Sequence, residues 1–378
     1  MSDIRKSVLV ITFRDPDCHC GGIEDYVKVL YERLSERGWE VYSLFSIDNS
    51  DSIRTNNKLK KYGIRLICPN KRLLIPLRKV EFFLKCSLFI YKNHTKFTII
   101  HSNGDNSFFP FINRKLKRIH SFPGFSIQKV KGDSEIGQWK SILMMFYIVP
   151  SALIELIGLL TSNLSVVDNG LLYKRFLNFR SKGLIEIHNA IDTSTFYPIM
   201  SSHEKVELKK NLGLDLEKNY AIWVGTDPRL YRLKESLEAI LAVAKYDLLV
   251  VGVTKLINTE RVERVRYLGL IDHSQLADYY KASDIMIHLS NVIGIDLSVL
   301  SALAIGIPVI VDNNNYSLYM PNEFVYSADG KDQLISILSK AAESFSHENH
   351  LVPISHLDSS FTPDFMVNEY ERILRKHL

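Results

Sequence analysis

Residues 7–45 read SVLVITFRDPDCHCGGIEDYVKVLYERLSERGWEVYSLF, and their pattern decides the fold class. The segment 7–13 is a β-branched apolar run of strand length. The pair Gly21-Gly22 follows, then Ile23, Tyr26, Val27, Leu30 and Leu34 at helical spacing, with Gly38 as the stop. A second strand returns at 40–45. Strand, helix and strand in that order predict parallel pairing through a crossover, the unit of α/β proteins.

Working outward, the rhythm predicts further strands at 64–68, 97–101, 117–121, 164–167 and 184–188. A polar stretch, MSSHEKVELKKN at 200–211, separates this unit from a second one. There the pattern predicts strands at 220–224, 247–251, 285–288 and 308–311, with helices at 234–244, 274–282 and 297–305, the last closed by Gly306. The expected architecture is two Rossmann-like α/β domains, 1–195 and 196–360, facing each other across a cleft. Such sheets bind ligands beyond the carboxyl ends of their strands.

The chain has 378 residues, 46% of them hydrophobic and 24% charged, which suits two globular domains and excludes collagen-like, mucin-like and wholly disordered classes. The net charge of +5 is unevenly spread: residues 1–170 hold 25 Lys and Arg against 16 Asp and Glu, and the remainder 22 against 26. A basic front half suits an anionic surface or acceptor, or is simply a solvated lysine-rich face. Cys18, Cys20, Cys68 and Cys86 form no paired CxxC set, which fits a reduced, cytoplasmic protein, and no metal site is expected. The N-terminus reads as a first strand and not a signal peptide. The apolar stretch 141–161 contains Pro150, expected to break its helix, and Glu155, so it reads as buried or interfacial and not membrane-spanning.

Three segments suit anion binding. Gly21 and Gly22 open a helix, where free N–H groups favour phosphate. In the second unit, Gly294-Ile295-Asp296-Leu297-Ser298 opens another. Between them, Val224-Gly225-Thr226-Asp227-Pro228-Arg229-Leu230-Tyr231-Arg232-Leu233-Lys234 crowds Arg229, Arg232 and Lys234 into a helix start, where cations suit a diphosphate clamp or remain solvated.

The order of GGIE, IHNAIDTSTFYP (187–198), VGTDPR, YLGLIDHSQLADYYKASDIMIHLS (267–290) and GIDLSVLSALAIGIPVIV resembles the family-4 nucleotide-sugar glycosyltransferases of GT-B fold. That resemblance implies a UDP- or GDP-linked sugar donor held by the C-terminal domain, an acceptor largely in the N-terminal one, and hexosyl transfer with retention. It implies no metal or other cofactor, and a terminal helix, 361–378, that crosses back to the first domain. The family's Glu pair falls on Ile293 and Ser301, its glycine on Asp296 and its Arg on Thr226. Its donor-contacting His falls on Pro123, with His120 three residues earlier. The candidate catalytic residues are therefore Asp296, His120 and Arg232. Donor contacts are assigned to Gly21, Gly22, Gly225, Thr226, Arg229, Arg232, Lys234, Ile293, Gly294, Leu297, Ser298 and Ser301. The alternative is a non-catalytic partner subunit of the same fold in a glycan-assembly pathway.

The acceptor expected is a glycan or a lipid-phosphate-linked one. Residues 71–85 with Phe89 and Tyr91 combine cations with aromatics, which suits an acidic membrane surface or a helix packing Phe82 and Phe83 on the sheet. Nucleic acid is not an expected partner, since the basic residues form no single stripe.

Overall fold

The computed structural model describes residues 6–18, 22–48, 58–71, 74–108, 116–122, 138–180, 182–253, 263–290, 296–312, 324–344 and 359–378. It divides into two units: 1–190 with 292–294 and 363–378, and 191–291 with 295–362.

The first unit follows the predicted alternation. Its elements are β1 (Ser7–Ile11), α1 (Gly22–Glu36), β2 (Glu40–Ile47), β3 (Lys60–Arg65), α2 (Ile75–Asn93), β4 (Ile99–Asn103), β5 (Lys117–Phe122), α3 (Gln138–Thr161), β6 (Leu164–Val167), α4 (Gly170–Leu177) and β7 (Leu184–Glu186). Seven parallel strands lie in the order β3-β2-β1-β4-β5-β6-β7. Alternate residues of β1 enter opposite cores, as strand geometry requires. Val8 and Val10 meet Tyr26, Val27 and Leu30 of α1, and Leu9 and Ile11 meet Phe82, Cys86 and Ile90 of α2.

Two local readings are corrected and one alternative is decided. The third strand is 60–65 and not 64–68, because its partner β2 sets the register, pairing Tyr42 with Lys60 and Ile47 with Arg65. Helix α3 runs unbroken through Pro150; proline removes one helical hydrogen bond, and here the rest of the helix persists around it. Of the two readings of α2, packing on the sheet holds for Phe82 and Phe83, which are buried, and Phe89 packs against the same core, while Tyr91 is exposed. Cys86 is buried there, which pushes its thiol pKa up, and Cys68 and Cys86 form no disulfide.

The terminal helix α10 (Pro363–Lys376) belongs to the first unit and buries Met366, Val367, Tyr370, Ile373 and Leu374 beside Val27 and Leu30. Phe365 is 39% exposed, while its neighbour Met366 is fully buried. Tyr370 Oη meets Tyr26 Oη and Ser121 Oγ, each at 2.9 Å, and burial pushes its pKa up to about 12.

The second unit contains α5 (Ser202–Asn211), β8 (Asn219–Val224), α6 (Leu233–Ala242), β9 (Tyr246–Val251), β10 (Val265–Gly269), α7 (His273–Ala282), β11 (Ile285–His288), α8 (Leu297–Ile305), β12 (Val309–Val311), β13 (Val325–Ser327) and α9 (Lys331–Ser344). Six parallel strands lie in the order β10-β9-β8-β11-β12-β13. Strand order reverses between β8 and β11. Their helices therefore leave on opposite faces and open a crevice at the carboxyl ends. Ile222, Met286 and Val309 pack with α8 on one face; Trp223, Ile287 and Ile310 pack on the other.

Candidate functional site

The crevice between β8 and β11 is built from two loops and a helix start. After β8, Gly225 donates its N–H to Val251 O at 3.1 Å, and the chain turns sharply away. A Cβ on Gly225 would stand 2.8 Å from the Tyr231 ring and 2.9 Å from that of Trp223. Asp227 shapes the loop, its Oδ1 accepting the N–H groups of Arg229 at 3.0 Å and Leu230 at 3.2 Å. Trp223 Nε1 donates to Tyr231 O at 2.9 Å and anchors the loop to the core.

Gly252, at the end of β9, has φ +94°, and a Cβ there would lie 2.5 Å from Gly225 O. Gly252→Ala is expected to cost about 2–4 kcal/mol, combining a left-handed alanine with a displaced carbonyl. Gly269→Ala, where φ is +70° and nothing lies within 4 Å, is expected to cost only about 1 kcal/mol. Urea midpoints of the two variants check the difference.

Arg232 has φ 45°, the sole positive φ outside glycine among the described residues. Its Nε donates to Glu235 Oε1 at 2.9 Å, and its Nη1 to Asp312 Oδ2 at 2.9 Å, just past β12. A further bond joins Nη2 to Glu235. Glu235 first and then Asp312 raise the guanidinium pKa further. Asp312 Oδ1 also accepts the Ser290 N–H at 3.1 Å, tying the ends of β11 and β12 together. One cation thus stands between two carboxylates, with N–H donors left over.

At the end of β11, buried His288 places Nε2 2.7 Å from Asp296 Oδ2. Asp296 is the N-cap of α8, but its carboxylate makes no side-chain cap bond to the helix. Its carbonyl accepts from Val299 and Leu300, and the N–H groups of Leu297 and Ser298 have no acceptor within the helix. The Tyr231 ring lies 5.3 Å from the His288 ring. Burial first, then the Asp296 charge, raises the Tyr231 pKa.

The structure therefore gathers Gly225, Arg232, Asp296, Leu297 and Ser298 at the carboxyl ends of one sheet. Thr226 and Arg229 lie exposed on the loop, and Lys234 is exposed in the first turn of α6. Ser301 is buried, with Oγ donating to Leu297 O at 2.8 Å, so its hydroxyl serves its own helix. Gly21, Ile293 and Gly294 lie outside the described residues, as do His19, Cys20 and Pro123; Gly22 begins α1.

His120 sits fully buried in the first unit, with Nδ1 2.7 Å from Ser102 Oγ and no partner for Nε2. Gly158 of α3 covers its ring so closely that a Cβ would come within 2.5 Å. Burial, and then Arg180, lowers its pKa to about 3. This is a neutral core histidine, and no atom of it is presented at the surface.

Three residues of the crevice went unread in the sequence: Tyr231, His288 and Asp312. The available signal was a polar residue ending each apolar strand, at His288 after Ile285-Met286-Ile287 and at Asp312 after Val309-Ile310-Val311. A cavity of about 140 Å³ lined by Lys205, Lys209 and Asp284 lies at the opposite, amino ends of β11 and β12.

Residues 218–337, which carry the whole crevice, match the family model described as Glycosyl transferases group 1. Sucrose-phosphate synthase from Thermosynechococcus elongatus superimposes with a TM-score of 0.77 at 19% identity, covering 98% of this chain and 99% of that one. The catalytic domain of starch synthase IV from Arabidopsis thaliana, bound to ADP and acarbose, gives 0.69 at 14% identity, covering 98% and 99%. Anabaena HepE in complex with UDP and glucose gives 0.65 at 11%, covering 98% and 100%. The fold is that of the GT-B glycosyltransferases. No curated protein sequence matches the chain. In this GT-B chain the matched segment and the strand-order reversal coincide, and both centre on β8, β11 and α8.

Proposed function

We propose that the chain transfers a hexosyl group from a UDP- or GDP-linked sugar to a glycan or lipid-phosphate-linked acceptor, with retention of configuration and without a metal. The carrying observation is the crevice at the β8/β11 reversal, where Gly225, Arg232 and the α8 start converge. Leaving-group departure places charge on the diphosphate, so donors fixed beforehand lower the barrier most. The Leu297 and Ser298 N–H groups and the α8 dipole supply that without any side chain. Arg232, braced by Glu235 and Asp312, is rigid before the donor arrives, and Arg229 and Lys234 add mobile cations at the rim. Asp296, aimed by His288, is the group offered to a sugar hydroxyl. His120, buried in the first unit, is given no role in transfer.

The basic first unit supports an anionic acceptor and a peripheral, cytoplasmic placement. Among the described residues no helix is long and apolar enough to cross a membrane.

A thermal-shift screen against UDP, GDP and ADP sugars tests the donor assignment, because a ligand bound only to the folded form raises the melting temperature. One nucleotide class is expected to raise it, with sugar release or transfer following in the presence of acceptor. Binding without any turnover would favour the partner-subunit alternative, and no shift with any donor would remove the crevice as a donor site.

A further inference from the structure

Helices α2 and α3 pack side by side on one face of the first sheet, and each presents a continuous apolar stripe outward. On α2 the stripe is Leu77, Leu84, Leu88 and Tyr91, flanked by Val80; Leu88 is 60% exposed and Tyr91 62%. On α3 it is Val149, Leu153, Leu156 and Leu160, with Leu153 55% and Leu160 62% exposed. At 3.6 residues per turn, each set falls within an arc of roughly 80° or less, directly opposite the buried side. Single exposed leucines are ordinary on a soluble protein; two aligned stripes on neighbouring helices form a patch.

The charges around the patch select its occupant. Of the cations of α2, Arg78 is buried on Asp48, Lys79 pairs with Asp105 and Lys85 with Glu81, the helix's one carboxylate, which leaves Lys92 exposed. Glu81 is held by the Ile67 and Cys68 N–H groups and by Lys85, which keep its pKa down. Glu155 of α3 is buried. Exposed Lys92 lies at the end of α2, and exposed Lys96 and Lys117 flank the adjacent starts of β4 and β5, so cations rim the apolar face. An apolar face with a cationic rim and no outward carboxylate on either helix matches acidic lipid headgroups above acyl chains. A folded protein partner would need no such bias of sign.

We propose that the outward faces of α2 and α3 form a membrane-docking surface for bilayers containing acidic phospholipid, inserting leucines of both helices while Lys92, Lys96 and Lys117 meet the headgroups. Phe82 and Phe83 are core residues and take no part in the contact, whereas Tyr91 lies in the stripe.

Flotation of the full chain with phosphatidylcholine vesicles, and with vesicles also containing phosphatidylglycerol, tests the surface. Acidic vesicles are expected to bind at least about ten-fold more protein at low salt, with the excess falling at high salt. The pairs Leu84→Glu with Leu88→Glu, and Leu153→Glu with Leu160→Glu, are each expected to lower binding about ten-fold or more while leaving the melting temperature within a few degrees, because the sites are exposed. Leu270→Glu, equally exposed but in the second unit, is expected to bind as the parent does. Binding to neither vesicle, or binding undiminished in both pairs, overturns the proposal. So does a lipid-free dimer that both pairs dissociate in the absence of any flotation, which would assign the patch to a second copy. No donor is needed for flotation, so its failure leaves the transfer reading standing.

Discussion

Lowering the pH from 6.5 to 4.5 is expected to destabilise the first unit by roughly 4 kcal/mol, on the order of a thousand-fold in its folding equilibrium. The cause is a pair of fully buried histidines, His101 and His120. Burial is the main reason both are held down to a pKa of about 3, with His120 adding to the effect on His101. His101 bridges Tyr31 and Ser121, through Nδ1 and through Nε2 at 2.6 Å, within a closed polar chain that continues to Tyr370. Unfolded, each histidine titrates near 6.5. Between 6.5 and 3 the unfolded chain therefore binds more protons than the native one, and stability falls as pH falls. Each histidine contributes about 1.4 kcal/mol per pH unit at most in that window. The lowered carboxylates Glu81 and Glu371 begin to matter only below about 4.5, and Glu24, whose pKa burial raises, works in the opposite sense as pH falls, so the loss of stability in the upper part of the window comes from the histidines. Urea midpoints measured across pH 6.5 to 4.5 check this. A flat profile there would show that both rings are protonated, or hydrated, in the native protein.

Arg232→Ala is expected to lower transfer 100- to 1,000-fold, about 3–4 kcal/mol of transition-state stabilisation. The change removes the cation from between Glu235 and Asp312 and leaves two carboxylates where the donor diphosphate is proposed to lie. Repulsion then adds to the lost attraction. Glu235→Gln has the opposite expectation: it removes one of the two negative charges that offset Arg232 and is expected to strengthen donor binding several-fold. Arg232→Gly separates chemistry from folding. Glycine accepts φ 45° without the strain an arginine carries there, so this variant is expected to keep its melting temperature and still lose transfer. Single-turnover kinetics of the three variants decide the matter. Equal rates in Arg232→Ala and the parent would reduce Arg232 to a brace between α6 and β12.

The local chemistry of the chain already specified its alternating elements. Val8 to Ile11, the helical spacing of Ile23 to Leu34 and the stop at Gly38 are short-range signals, and they map onto β1 and α1 almost residue for residue. Glycines at 225 and 306 likewise announced turns that the structure contains. The sequence blocks of the second unit fall in order on β8, α7, β11 and α8.

What distance in sequence concealed, only tertiary packing revealed. His288 and Asp296 meet because β11 ends beside the start of α8, and Arg232 meets Asp312 across eighty positions because β12 stops beside the β8 loop. No periodicity encodes those encounters, since they depend on strand order. Burial was decided in the same way: His120 looked available until α3 laid Gly158 over it, and of the two faces open to Phe82 the sheet took it, leaving Leu84 and Leu88 to face the surroundings. A residue's type and spacing set what it can do and which helix or strand it joins. Which side of that element meets water, core or ligand is settled by the neighbours the fold packs against it.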